Sequence, residues 1–336
     1  MQRKILNHLK SWEATLIILL VVEIFFFGLI EPSFLNINNL LFSTSDFAYI
    51  ILAALPMTLV IITAGIDISV ASTMGLTSIV LGALWQSDVN IFVAMIIALI
   101  VGVIGGAFNG LLVAKTDIQP LVITLGTLFL YSGLATGVAG SLGAAGYEGI
   151  SGLPMSFAEI ANGSIGSVPY PLLIVVGFAI ILAILLHYTG FGRSLFLIGV
   201  NPDAAKYSGI SVDKVLIAAY ALSGLGAAIA GALLTSYFTS ARSDLGNDAL
   251  LPTITAVVLG GANILGGSGT IFGTLLAGFV LGFLKQGLLA IGVTNNVSQV
   301  VIGAVLIIVV ALKIGISRFN QHRLNRRALD NRIAIE

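Results

Sequence analysis

Cysteine is absent from the 336 residues, which excludes disulfides, thiolate metal sites and a cysteine nucleophile. Charge is almost as scarce: 9% of residues are Asp, Glu, Lys or Arg, against about 25% in soluble domains. The three histidines, His8, His187 and His322, are scattered and suggest no metal site. The chain has no G-x-x-x-x-G-K-[ST], the loop that cradles nucleotide phosphates. The Gly-rich run GGANILGGSG (260–269) has no following Lys and lies between apolar stretches, so its glycines suit close helix approach and a tight turn. Neither a nucleophile–base pair nor a carboxylate cluster is evident. These absences leave no catalytic residue, no metal and no cofactor to assign to this chain.

What is present is apolar. Hydrophobic residues make up 57% of the chain and the mean hydropathy is +1.07. Runs of about 20 apolar residues, long enough to cross a hydrocarbon core, recur from end to end. The fold class is therefore all-α, a polytopic membrane protein forming one transmembrane domain over 1–336. Candidate spans fall at 14–30, 47–64, 70–86, 91–113, 120–139, 169–187, 215–239, 250–264, 270–290 and 297–313, about ten in all. The first run carries Glu23 and is followed by Glu31-Pro32-Ser33-Phe34 rather than a small-x-small site, so it reads as a retained helix. The Gly- and Ser-rich stretch near 140–168 is too short and too weakly apolar for a domain of its own.

The few charges are unevenly placed. Threading the chain with its N-terminus inside puts thirteen of the fifteen basic residues in cytoplasmic segments, as the positive-inside rule favours. They are Arg3, Lys4, Lys10, Lys115, Arg193, Lys206, Lys214, Lys313, Arg318, Arg323, Arg326, Arg327 and Arg332. Arg242 falls outside and Lys285 within a span, while the outer segments hold Glu31, Asp46, Asp88, Glu148, Glu159, Asp244 and Asp248. Both tails, 1–13 and 314–336, and the loop 188–214 are thus expected in the cytoplasm. The basic C-terminal tail reads as an anchor near anionic lipid rather than a nucleic-acid site.

A faint repeat links two parts of the chain. Leu55-Pro56 lies 196 residues before Leu251-Pro252, and at the same offset Gly65-Ile66-Asp67-Ile68 meets Gly261-Ala262-Asn263-Ile264 and Ser72 meets Ser268. Each copy is an apolar helix with an early proline, a Gly-centred polar break and another helix; interrupted helices of this kind mark transporter substrate sites. Chance matching among common membrane residues would give the same pattern. Within the apolar spans, ionisable candidates for a coupling ion are only Glu23, Asp67 and Lys285. Glu23 reads as a pathway contact or as a bundle-facing carboxyl, Lys285 as a functional cation or one that snorkels, and Asp67 as a cap for backbone N–H groups at the break. An ion-coupled carrier would rest on these three; a passive pore has no feature of its own in its favour.

The loop 188–214 carries the clearest local signal. Asn201 suits an N-cap, Pro202 the first helical position, Asp203 the positive helix end, Ala204 and Ala205 the helix interior, and Gly209 a left-handed stop. A short capped helix from Pro202 to Ser208, reached through Gly192-Arg193, is expected at the cytoplasmic face, either as a docking element or as an ordinary surface turn.

The pattern GR-x4-IG-x-NP-x-AA-x2-SGI resembles the coupling-helix region of the permeases of ribose-type (monosaccharide) ABC importers. ITAGIDISVAS (62–72), AVVLGGANILGGSGTIFGT (256–274) and QGLLAIGV (286–293) resemble three further stretches of that family, so the likeness covers essentially the whole chain. One departure is that Leu250-Leu251-Pro252 stands where sugar permeases usually carry a Glu-Leu pair. The run 236–269, with LLFSTSDF (40–47), ITLGTLFLYSG (123–133) and AAGYEGISGLPMSF (144–157), is most similar to one of the two permease types of the family's autoinducer-2 importers. The resemblance implies an ABC importer permease fold with two related helix groups in the bacterial inner membrane. It implies a heterodimer with a second permease, a periplasmic binding protein and cytoplasmic ATPase subunits that hold the ATP and Mg. The coupling site would comprise Arg193, Asn201, Pro202, Ala204, Ala205 and Gly209, with Ala204, Ala205 and Gly209 in an ATPase groove. The pathway would draw on Thr63, Asp67, Ser69, Ser72, Asn263 and Ser268, whose other reading is interhelical hydrogen bonding.

Overall fold

A computed structural model describes residues 12–143, 149–305, 307–309 and 311. Glu148 and the basic residues Arg3, Lys4, Lys10, Lys313, Arg318, Arg323, Arg326, Arg327 and Arg332 lie outside the described residues. The helices are α1 (Trp12–Ile30), α2 (Ile37–Ser43), α3 (Ala48–Ile62), α4 (Val70–Gln86), α5 (Ile91–Lys115), α6 (Pro120–Ser141) and α7 (Met155–Asn162). They continue with α8 (Tyr170–Tyr188), α9 (Gly190–Val200), α10 (Pro202–Tyr207), α11 (Val212–Phe238), α12 (Leu250–Leu259) and α13 (Ile271–Ala290). A further helix follows at Asn295–Val309. Among the described residues the only sheet is a two-stranded ribbon, Ser164–Ile165 paired antiparallel with Val168–Pro169.

The expectation of about ten spans is matched only in part, and its last span, 297–313, runs past the described residues. Among the described residues six helices are long and apolar enough to cross a membrane, namely α1, α5, α6, α8, α11 and α13, and α2 with α3 makes a seventh if that pair, bent by 63°, counts as one span. The expected run 70–86 folds as the 17-residue helix α4, just under the length taken for a crossing, whereas 250–264 folds as the shorter α12, which ends at Leu259 before a break. At a rise of 1.5 Å per residue, the 10 residues of α12 extend about 15 Å, half a hydrocarbon core.

Helix α3 is the centre of the bundle: every residue from Ile50 to Ile62 is buried, as expected of a helix apolar on all sides. Helices α8, α11, α12 and α13 pack around it. The longest helix, α11, is buried along its middle by alternating Gly, Ala and Ser, and it packs on α5, α3 and α4. Small residues are required at that seam. A side chain at Gly106 of α5 would sit 2.1 Å from the Tyr220 carbonyl oxygen, and one at Gly224 of α11 would sit 2.1 Å from the Gly102 carbonyl oxygen. Lipid offers no hydrophobic force between helices, so backbone proximity of this kind supplies the packing energy.

The segment 149–169 folds back over one end of the bundle. Ser236 of α11 donates to the Phe157 carbonyl oxygen (2.6 Å) and accepts from the Ala161 amide (3.0 Å), while Ile150 bridges Ala241. At that same end Asp46, between α2 and α3, accepts from Tyr237 Oη (2.6 Å) and from Gln286 Nε2 (2.9 Å). One carboxylate thereby joins α11 and α13 to the bend before α3.

Candidate functional site

The two halves of the repeat form two interrupted helix pairs, α3–α4 and α12–α13. Each first helix ends in a left-handed residue, Ala64 (φ 63°) and Gly261 (φ 98°). The polar residue that follows does the same work in both. Asp67 Oδ1 accepts from the Ser69 amide (3.1 Å), and Asn263 Oδ1 accepts from the Leu265 amide (3.3 Å). Side-chain bonds to the backbone two residues on are how Asp and Asn stabilise a turn. The 196-residue offset read from the sequence therefore pairs Asp67 with Asn263 in the same local function, while the left-handed residues Ala64 and Gly261 stand one position out of that register.

In the first break the network is closed inward. Besides the Ser69 amide, Asp67 Oδ1 accepts from Ser69 Oγ (2.6 Å) and Oδ2 from Ser223 Oγ of α11 (2.8 Å). Asn109 of α5 donates to Ser69 Oγ (2.8 Å), and Thr124 of α6 donates to the Ile66 carbonyl oxygen (3.0 Å). Asp67, Ser69, Asn109 and Ser223 are all buried. Ser72 donates to the Ser69 carbonyl oxygen and Thr63 to that of Val60. Asp67, Ser69, Ser72 and Thr63 are thus brought together, within the packing of this chain. Asn263 is half-buried and Ser268 exposed, and the Ser268 carbonyl oxygen accepts from the Asn263 amide (2.9 Å). Glu23 lies apart on α1, buried with Oε1 unpartnered, and Lys285 is half-buried on α13.

The expected short helix is α10, Pro202–Tyr207. Asn201 Oδ1 accepts from the Ala204 amide (2.9 Å), Pro202 takes the first position, and Ser208 is the C-cap. Gly209 (φ 83°) then turns the chain, so that the Ile210 amide reaches the Ala205 carbonyl oxygen (3.1 Å), a closure that uses the carbonyls a helix end leaves free. Asn201, Pro202, Ala204, Gly209 and Arg193 are exposed. Ala205 is 3% exposed and faces its own chain, whereas Tyr207 is 93% exposed. Ala205 thus anchors the helix, and the outward face carries Tyr207, which sequence reasoning passed over because a lone aromatic on a six-residue helix shows no periodicity.

The stretch before α10 is also helical. Thr189 caps α9 by accepting from the Gly192 amide (3.3 Å), and α9 leads into α10 at a sharp elbow through Asn201. Two hollows occur in the bundle, one apolar and lined by Met95, Leu99, Ile174 and Ile229, the other at the far end and rimmed by Ser33, Asn39, Ser43 and Gln286. Neither includes a residue of the breaks.

Interrupted apolar helices, several of them long enough to cross a membrane, and an exposed capped helix at one end of the bundle fit a multi-pass membrane transport protein. The family described as "Branched-chain amino acid transport system / permease component" matches residues 39–310, and the chain belongs to that ABC permease family. It is 51% identical over 300 residues to the autoinducer 2 import system permease protein LsrD of an Enterobacter species, covering 89% of this chain and 92% of the relative. The proteins of the same name from Klebsiella pneumoniae and Escherichia coli are 50% and 52% identical over 300 residues, with 90% and 91% of the relative covered. No solved structure matches.

Proposed function

We propose that the chain is a permease subunit of an ABC importer that carries autoinducer-2, a small furanosyl, sugar-like signal, from the periplasm to the cytoplasm. The observation that carries this reading is α10, a capped helix with an exposed outer face on a chain with no nucleotide loop, in a protein half identical to autoinducer-2 permeases. Energy then comes from ATP hydrolysed on a partner subunit docked against α10, with Tyr207, Pro202 and Ala204 as its outward contacts and Ala205 holding it in place. A second permease completes the pathway across the interrupted helices. Asn263 and Ser268 are the polar groups of the breaks that such a pathway reaches, while Thr63, Asp67, Ser69 and Ser72 fix its shape. A periplasmic binding protein delivers the ligand at the end formed by 149–169 and Asp46. Deleting the gene and following autoinducer-2 in the medium tests the substrate. Slowed depletion, restored by the gene in trans, is expected; unchanged depletion with impaired growth on ribose would reassign the chain to a monosaccharide. Uptake by the chain without any ATPase, driven by an ion gradient, would overturn the ABC reading.

A further inference from the structure

The two breaks touch each other, and they touch α9. The Gly267 amide donates to the Ile62 carbonyl oxygen (2.9 Å), which joins the end of α3 to the loop between α12 and α13. Gly199, two residues before the N-cap of α10, lies on this same point. A side chain at Gly199 would meet the Ile62 oxygen at 1.8 Å and the Gly267 nitrogen at 2.5 Å. A side chain at Gly266 would meet the Gly199 carbonyl oxygen at 2.7 Å and both the nitrogen and Cβ of Ala64 at 3.0 Å. Backbone therefore lies against backbone at three places, with no flexible side chain between to absorb a displacement.

From this we infer that Gly199 is a positioning residue: the contact of α9 with both breaks is the mechanical junction through which movement of the docking helix reaches the pathway. Close-packed interiors transmit displacement because they contain no slack, and interfaces of this sort switch between discrete packings. The elbow at Asn201 makes α9 and α10 neighbours in sequence and in space, so a push on α10 is delivered at Gly199. There it reaches Ile62, at the end of the buried central helix, and Gly267, which lies against Val200 in the loop whose tip, Leu265, is exposed. The junction rests on the transport reading above and adds to it a residue whose effect is on coupling rather than on docking or ligand recognition.

The test uses the whole importer, this chain with its second permease, ATPase and binding protein, in proteoliposomes. Gly199→Ala is expected to leave ATPase association and ATP hydrolysis within about twofold of the unsubstituted complex while uptake per ATP hydrolysed falls about tenfold, the scale on which one added methyl group in a full site is felt. Uptake and hydrolysis falling in step with the amount of assembled complex would show a merely structural glycine and overturn the inference, as would no change in either. Should Gly199→Ala fail to assemble, spin labels on the cysteine-free chain decide. Val200→Cys and Leu265→Cys, on either side of the junction, are expected to hold a constant separation between nucleotide-free and vanadate-trapped states, while Leu265→Cys moves relative to Ile104→Cys on α5. A changing Val200–Leu265 distance, or no movement of Leu265 at all, would overturn it. If the unsubstituted complex shows no ATP-driven uptake, the transport reading fails first and the junction with it.

Discussion

Asp67 shows how one buried carboxylate can be given opposite roles and how the choice between them is tested. Its two oxygens accept three hydrogen bonds from Ser69 and Ser223, and Asn109 extends the set. A buried polar network is stabilising when its members are satisfied and costly when one is removed, about 1–3 kcal/mol for each donor left without an acceptor. Asp67→Ala is therefore expected to lower the melting temperature of the purified complex, as differential scanning fluorimetry would show. Asp67→Asn keeps a side-chain oxygen for the Ser69 amide, and ATP-driven uptake is expected to persist. Abolished uptake in Asp67→Asn, at unchanged thermal stability, would instead make the carboxylate an ion carrier. The residue type and its place at a helix break, as a cap for backbone N–H groups, were readable in the sequence; the left-handed Ala64 before it was not. Ser223 and Asn109 were not, because they arrive from α11 and α5, far along the chain, and only tertiary packing brings them within 3 Å.

At the scale of elements, α10 makes two predictions of different kinds. The first is local. Asn201→Ala removes the acceptor for the Ala204 amide, a change that costs about 1 kcal/mol, and faster hydrogen exchange at Ala204 and Ala205 is expected. The second separates the two faces of the helix. Tyr207→Arg alters a side chain open to solvent and is expected to leave the permease folded while weakening ATPase binding about tenfold, as loss of an aromatic anchor does. Ala205→Arg must place a charged chain into a closed contact, and reduced yield of folded permease is expected before any effect on docking. Equal ATPase binding by Tyr207→Arg and the unsubstituted chain would move the docking face elsewhere. Caps and stop residues made α10 legible in advance, to within a residue at its end. Its inward face was not, since six residues give no periodicity from which to read one. Helix α9 was missed as an element because Gly190, Gly192 and Gly199 are poor helix formers in isolation. Gly192 and Gly199 stand where backbone comes close, at the Leu186 oxygen and the Ile62 oxygen respectively, and such contact leaves no mark on composition.

For the whole molecule, the fold divides the charged residues between two ends, and which end faces the cytoplasm, as positive-inside placement predicts, can be measured. Among the described residues, Lys115, Arg193, Lys206 and Lys214 gather at the end of the bundle where α10 lies, and Lys115 pairs there with Asp213. Asp46, Asp88, Glu159 and Asp244 fall at the opposite end, with the segment 149–169 and the Asp46–Tyr237–Gln286 cluster. The alternation of spans in the sequence leads to the same division, although six or seven crossings are long enough among the described residues, because an apolar run broken at 63–69 or 260–270 scores as two spans whatever depth its halves reach. A chain without cysteine is suited to the decisive measurement, since each introduced thiol is the sole target. Asp203→Cys on α10 and Asp88→Cys after α4 replace exposed residues. In intact cells with a permeable outer membrane, a membrane-impermeant maleimide is expected to label Asp88→Cys and to spare Asp203→Cys until the inner membrane is opened. The reverse pattern would place α10 on the outer side, where no ATPase could reach it, and would remove the docking reading together with the orientation that positive-inside placement favours.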